Sequence, residues 1–381
     1  MRIRLRHLRR DERGMSFVFV GLGFMAFFAA TTLAIDVGMF MTARSQAQNA
    51  ADAGALAGAT ALVFNDFNDR SVGGPAVQSA INTAIANQVM ANVVSVQPSD
   101  VTFPIGPTGA SDRVQVNVFR TTNRSNPVAT LIGPIFGVNT VDISATATAE
   151  AAPANAMTCV KPFTIPDRWE ENSVPPNNTF DRYDNQGNIV PNADVYYQPD
   201  DAQYLGWNAD IHKGTPMTIR AGTGNNIEPS FYFSWKMPGP DIGADFYETN
   251  IAGCNPTVIS RPFTMTQEPG NMMGPTTTGV DALIAQDPNA YWDSVSQTVV
   301  STQSPSPRVF PIPMFDPDAY QDGVTHGRNA TLEMVNWVGF FLLRRSGNDV
   351  EGLIVPITGT IDPNAGPAPA GSFPRAIRLV Q

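Results

Sequence analysis

At 381 residues the chain exceeds one ordinary domain, and 43% apolar residues are ample for folded cores. Only 15% of residues are charged, and 32 prolines with 31 glycines favour turns and strands over a helical bundle. The net charge of −10 is unevenly placed: six arginines fall in the first 13 positions, leaving 18 basic against 32 acidic residues beyond Gly14. A body of that sign repels phosphate backbones, which weighs against nucleic-acid binding.

Residues 1–14 form a basic arm, and residues 15–35, MSFVFVGLGFMAFFAATTLAI, carry no charge. As a helix this stretch is roughly 30 Å long, the thickness of a hydrocarbon core. Arg9, Arg10 and Arg13 precede it closely, whereas Asp36 follows and Arg44 is the first basic residue beyond. The positive-inside rule therefore places the amino terminus in the cytoplasm and the bulk of the chain across the membrane. Thr32-Leu33-Ala34 is a passable signal cleavage site, but secretory signals have apolar cores of about 7–15 residues, so an uncleaved anchor is expected.

The helical pattern continues past the membrane. Residues 42–64 contain no proline, and Ala47, Ala51, Gly54, Ala55, Gly58 and Ala59 form a smooth stripe. The Gly54-xxx-Gly58 spacing lets another backbone approach closely. That backbone belongs either to the same chain or to a partner, including a second copy in a homo-oligomer. Residues 76–94 then show apolar positions at helix spacing, Val101–Pro104 and Arg113–Arg120 read as strands, and Asn126–Phe136 reads as apolar and helical ahead of a strand at Val138–Glu150. Ala151–Ala156 reads as a linker.

From Met157 onward prolines, asparagines, aspartates and aromatics rise. Strands are expected at Arg308–Phe315, Leu332–Arg344, Leu353–Ile361 and Ala376–Val380, with one short helix at Thr278–Gln286. No repeat of 20–50 residues is visible, which weighs against propellers and solenoids. Cys159 and Cys254 are the only cysteines, and in an exported chain such a pair reads as a disulfide, worth about 4–5 kcal/mol in chain-entropy terms.

Enzyme chemistry finds little support. The histidines are His7, His212 and His326, and the sequence lacks H-E-x-x-H, G-x-S-x-G and the phosphate-binding P-loop. The acidic runs Asp316-Pro317-Asp318 and Asp181–Asn188 miss the register of a calcium loop, because the ligand positions before Gly187 would be Arg182, Asp184 and Gln186. Asp184–Asn188 reads as a hairpin turn, and Gly222–Asn226 as a loop. No catalytic, cofactor or metal residue is assigned.

The run from Glu12 to Leu62 resembles the N-terminal module of TadG-like proteins of the Tad (tight adherence, Flp) pilus system. The matching features are the Arg-Arg…Glu-Arg-Gly lead, Ala34-Ile35-Asp36-Val37-Gly38, and Gln48-Asn49-Ala50-Ala51-Asp52-Ala53. Cys159–Trp169 and Asp287–Asp293 are similar to TadG-related sequences as well. Where a processed prepilin carries Glu five residues after its glycine, Gly14 is followed there by Phe19. The D-x-S-x-S metal loop of some TadG-like proteins has its nearest counterpart at Asp142–Thr146, in a stretch alternating like a strand.

The resemblance implies a pseudopilin-like, inner-membrane component acting through contacts with other pilus-assembly or pilin proteins. The expected architecture is α+β, with a single transmembrane helix (15–35) and a pilin-like helix with a small sheet (36–156). A β-rich extracytoplasmic domain (157–381) follows. The competing reading is a membrane-tethered periplasmic binding or hydrolytic domain.

Overall fold

The computed structural model describes residues 13–107, 109–221, 227–239, 241–270, 272–326 and 331–380. The run without proline or charge becomes the start of one unbroken helix, α1 (Arg13–Phe64), roughly 78 Å long. It is long and apolar enough to cross a membrane, and its most apolar window is wholly unburied. Burial then sets in on one face at Asp36, Ala43, Ala47, Ala50, Ala51, Gly54 and Ala55, the i, i+3/i+4 spacing of a helix face.

The chain divides into two compact units. The first contains α1 as far as Ala55, Ala80–Thr102 and Gln115–Ala147; the second contains Leu56–Ser79, Phe103–Val114 and the chain from Thr148 onward. After α1 come α2 (Pro75–Ala86), β1 (Val101–Thr102), β2 (Arg113–Arg120), β3 (Val128–Ala129), β4 (Thr140–Val141) and β5 (Ile143–Pro153). In the first unit β1 pairs antiparallel with β2, Val101 opposite Val116, and β3 with β4, Val128 opposite Val141. Alternation along β2 buries Val116 and Val118.

The second unit is built on a barrel. Its strands are β6 (Phe163–Pro166), β7 (Pro216–Ala221), β8 (Phe231–Ser234), β9 (Phe263–Met265), β10 (Val309–Phe315), β11 (Leu332–Ser346) and β12 (Asp349–Ile354). The order β11-β10-β6-β8-β7-β12 closes because β12 pairs back onto β11, Phe340 opposite Ile354, which leaves six strands in a ring. The 15-residue β11 also pairs β9 through its first three residues. Closure removes free sheet edges. Trp337, Phe163, Phe315, Phe340 and Trp235 are fully buried there. Helices α3 (Ala244–Ala252) and α4 (Met273–Gln286) pack closely enough that a Cβ on Gly279 would lie 2.8 Å from Ile251. The last strand, β13 (Arg375–Val380), pairs with β5, Val380 opposite Thr148.

The α+β expectation holds, and several elements differ from their sequence reading. Asn126–Phe136 is helical only at its end: it forms β3 and then a short 3-10 helix at Gly133–Phe136, while the carboxylate of Asp36 takes the N–H groups of Leu131, Ile132 and Gly133. The strand read at Val138–Glu150 is broken into β4 and β5. Helix α2 ends at Ala86 rather than Val94, since Met90 and Ala91 take left-handed turns and Arg120 holds the carbonyl of Val89. The strand placed at Leu353–Ile361 is Asp349–Ile354; it starts directly after the two-residue Gly347-Asn348 turn, and Pro356 has no N–H to extend it. Helix α4 begins five residues ahead of Thr278.

Candidate functional site

Two regions hold the residues that could carry function. The first is the exposed part of α1. Phe17, Phe19, Phe24, Met25 and Phe27 all face outward, as lipid-facing side chains must. Arg9 and Arg10 lie outside the described residues, as does the side chain of Arg13. At the end of the apolar span Asp36 is buried, and its Oδ1 and Oδ2 accept Leu131 N–H at 3.0 Å and Gly133 N–H at 2.8 Å. A carboxylate at the opening of a 3-10 turn satisfies N–H groups that have no partner within the turn.

The Ala/Gly stripe is covered. Gly54 and Gly58 are both buried, and a Cβ on Gly54 would lie 3.0 Å from the carbonyl oxygen of Ala80 and 3.0 Å from Cβ of Ala84. The close approach that the glycine permits at Gly54 is therefore made by α2 of the same chain.

The second region flanks the barrel. A cleft of about 590 Å³ is lined by Arg168, Tyr204, Trp207, Asp210, His212 and Arg375, among others. Its histidine is tied down on both sides: Asn208 N–H donates to Nδ1 at 2.9 Å, and Arg168 Nη1 lies 2.9 Å from Nε2. Trp207 meets the ring edge-on. Burial, and then the nearby Arg168 charge, hold the imidazole below its ordinary pKa. A neutral imidazole accepts at only one of its two nitrogens, and the contacts on both sides fix the orientation of the ring.

Behind the cleft, Asp167 is fully buried at the end of β6. Its Oδ2 accepts Tyr204 at 2.7 Å and Tyr196 at 3.1 Å, its Oδ1 accepts Arg168 N–H at 2.8 Å, and burial pushes it up to about 6. Tyr204 in turn receives Asn336 Nδ2 at 3.0 Å, and Asn336 also donates to the Gly371 carbonyl. The network cross-ties β6, β11 and two loops. Beside it a smaller cleft of about 240 Å³ is lined by Asp167, Trp169 and Glu171, and both carboxylate oxygens of Glu171 are buried without a hydrogen-bond partner among the described residues.

Cys159 and Cys254 form a disulfide. Two residues on, Lys161 Nζ donates to the carbonyls of Ile251 and Gly253, each at 2.6 Å, where α3 ends. A cation against the last carbonyls of a helix satisfies groups that lack partners within it, while burial draws this amine down to about 7. The Cys159–Trp169 run thus contributes the expected disulfide together with a helix-terminus cation and a buried carboxylate; charged residues in an apolar run hinted at the last two, which sequence reasoning missed.

The remaining acidic candidates are spent on local structure. Asp184 accepts the N–H groups of Gln186 and Asn188, and Tyr183 bridges to Ile189, so this stretch is a hairpin turn. Asp316 caps the helix α5 (Pro317–Thr325) through Asp318 and Ala319 N–H, and Asp318 pairs with Arg182. Asp142 holds Thr122, ahead of strand β5. Asp287 accepts Ser301 and Ser306 hydroxyls. Among the described residues no group of three His, Cys, Asp or Glu side chains could hold a metal ion. The Gly222–Asn226 stretch lies outside the described residues.

Residues 14–61 match the family model described as "Putative Flp pilus-assembly TadE/G-like". No curated protein and no solved structure matches the chain. The matched segment lies wholly within α1. The chain is thus TadE/G-like in this segment, which ties it to Tad/Flp pilus assembly, and α1 is, among the described residues, the one helix long and apolar enough to cross a membrane.

Proposed function

We propose that this protein is a membrane-anchored, non-enzymatic component of Tad/Flp pilus assembly that acts through protein contacts in the cell envelope. The observation that carries the reading is the coincidence of the TadE/G-like match with one continuous helix whose first part is apolar and unburied while its second part is packed. The basic arm 1–14 lies in the cytoplasm, residues 15–35 span the inner membrane, and the remainder stands in the periplasm; the arginine asymmetry supports this orientation. Contacts with other pilus-assembly or pilin proteins are assigned to exposed surfaces of the two units. A homo-oligomer joined through the Ala/Gly-rich helix is disfavoured, because Gly54 is already occupied by Ala80 and Ala84.

A non-enzymatic role is supported by two titratable groups on the clefts, His212 and Asp167, which both hold the chain's own groups. The second reading, a tethered periplasmic binding domain, is favoured by the 590 Å³ cleft with Arg168, Trp207 and Arg375 on its walls.

Affinity purification of the full-length protein from detergent-solubilised native membranes, with intact-mass analysis, separates the two. Recovery of pilus-assembly proteins with an uncleaved amino terminus is expected. A chain beginning near Ile35, found in the soluble fraction without pilus proteins, would overturn the proposal and favour the binding reading.

A further inference from the structure

The segment between Arg124 and Asp142 contains no charged residue, and its middle reads LIGPIFGV from Leu131 to Val138. In a water-facing loop such a run would turn inward. Here it turns outward: Leu131 is 64% exposed, Ile135 78%, Phe136 63% and Val138 49%. The patch lies against the apolar part of α1. The space between them is lined by Ala29, Leu33 and Phe40 on the helix side and by Gly133, Phe136 and Val138 on the loop side. Ala29 is six residues inside Ile35, about 9 Å along the helix axis.

We propose that Leu131–Val138 is a second membrane-embedded element, an apolar foot seated beside α1 in the leaflet nearest the folded body, with phospholipid acyl chains covering its four exposed side chains. The proposal rests on α1 being a membrane anchor. Continuity decides the occupant: these side chains extend the apolar surface of a helix whose Leu33 and Ile35 are exposed at the same level.

The backbone supplies a second, independent argument. An irregular segment meets hydrocarbon only if its polar groups are satisfied internally. Asp36 takes the N–H groups of Leu131, Ile132 and Gly133. Ile135 donates to Ile132, Gly137 to Pro134, Val138 to Gly133 and Thr130 to Asn139, while Pro134 has no N–H. The Thr130 hydroxyl donates to the Val138 carbonyl at 2.6 Å. This closure depends on glycine, since a Cβ on Gly133 would stand 2.3 Å from that same oxygen. A water-exposed loop of this length has no need of such internal closure. With these amide groups satisfied, the turn meets the condition for contact with acyl chains.

The test uses the full chain reconstituted at low density in phosphatidylcholine vesicles. The native cysteines are paired, so an introduced cysteine carries the fluorescent label uniquely. Labels are placed at I135C and, separately, F136C, with F27C inside the span and V295C on the barrel unit as references; Phe27 and Val295 are both exposed. The expected result is that the Ile135 and Phe136 labels are quenched by acyl-chain spin-labelled lipid as the Phe27 label is, with iodide quenching several-fold below that at Val295. Iodide quenching equal to that at Val295, with Phe27 still in lipid, overturns the foot and leaves the anchor intact. Iodide quenching at Phe27 as well overturns the anchor and the foot with it. Protection that grows with protein density assigns the patch to a second copy, which also overturns the proposal. The two foot positions are read separately, so a variant that disturbs the turn does not remove the test.

Discussion

The Oδ2 of Asp36 accepts the backbone N–H of Gly133 at 2.8 Å across 97 residues of chain. This contact converts a residue at the membrane exit into the fastener of a distant turn. An Asn at position 36 keeps the shape but replaces one acceptor oxygen by a donor, which then faces a backbone N–H. Hydrogen bonds to a charged acceptor contribute about 1.5–3 kcal/mol each. D36N should therefore raise amide exchange at Leu131–Gly133 at least tenfold while α2 stays protected, as read by hydrogen-exchange mass spectrometry in lipid discs. Unchanged exchange at those three amides would contradict the fastening role.

Gly54 and Gly38 occupy the same helix but opposite surroundings. A Cβ at Gly54 meets Ala80, Ala84 and Val116, whereas one at Gly38 meets nothing within 4 Å. G54L overpacks a tight contact and should destabilise the first unit by about 1–3 kcal/mol. G38A should be neutral or stabilising by up to about 1 kcal/mol through helix propensity. Thermal unfolding of the two variants in the same detergent decides it, and equal melting points would sink the close-packing account.

The bond between Cys159 and Cys254 closes a loop with a sequence separation of 95. C159S/C254S should lose about 4 kcal/mol, seen as a lowered denaturant midpoint, and the wild-type chain under reductant should reproduce the loss. A double variant as stable as the oxidised protein would remove the disulfide from the list of what holds this unit.

Asp167 should set a pH dependence of known sign. Burial raises its folded pKa to about 6, above the unfolded value of 3.8. Between those values the folded chain holds more protons than the unfolded one, so this group's contribution to stability falls as pH rises from 3.8 to about 6 and stays low above. The full swing is about 3 kcal/mol. D167N keeps acceptors for Tyr204 and Tyr196 without the charge, so its stability relative to wild type should rise across that window in urea titrations. A constant difference from pH 4 to pH 7 would show that the carboxyl is not held protonated.

How far the fold was legible depended on whether its cause was local. Met15–Ile35 is uncharged throughout and mostly apolar, and such a helix is specified by its own residues; likewise Arg113–Arg120, where alternating valines leave one face for the core. The Cys159–Cys254 pairing followed from there being only two cysteines. By contrast, Asn126–Phe136 has helix-like apolar spacing, yet its N–H groups are taken by a carboxylate 97 residues earlier, and no local pattern reports that.

The same division holds at the candidate site. Anchor, basic flank and TadG-like segment are written in consecutive residues, because membrane insertion and helix continuity are properties of a contiguous stretch. The six-strand closure is different. Short strands such as Phe163–Pro166 and Phe231–Ser234 find partners far away in sequence, and only the long, bent Leu332–Ser346 strand brings the ring together. The cleft beside Asp167 and the outward turn of Leu131–Val138 likewise exist only once distant segments are packed, since burial, hydrogen-bond partners and exposure are properties of the assembled chain and not of any stretch of it.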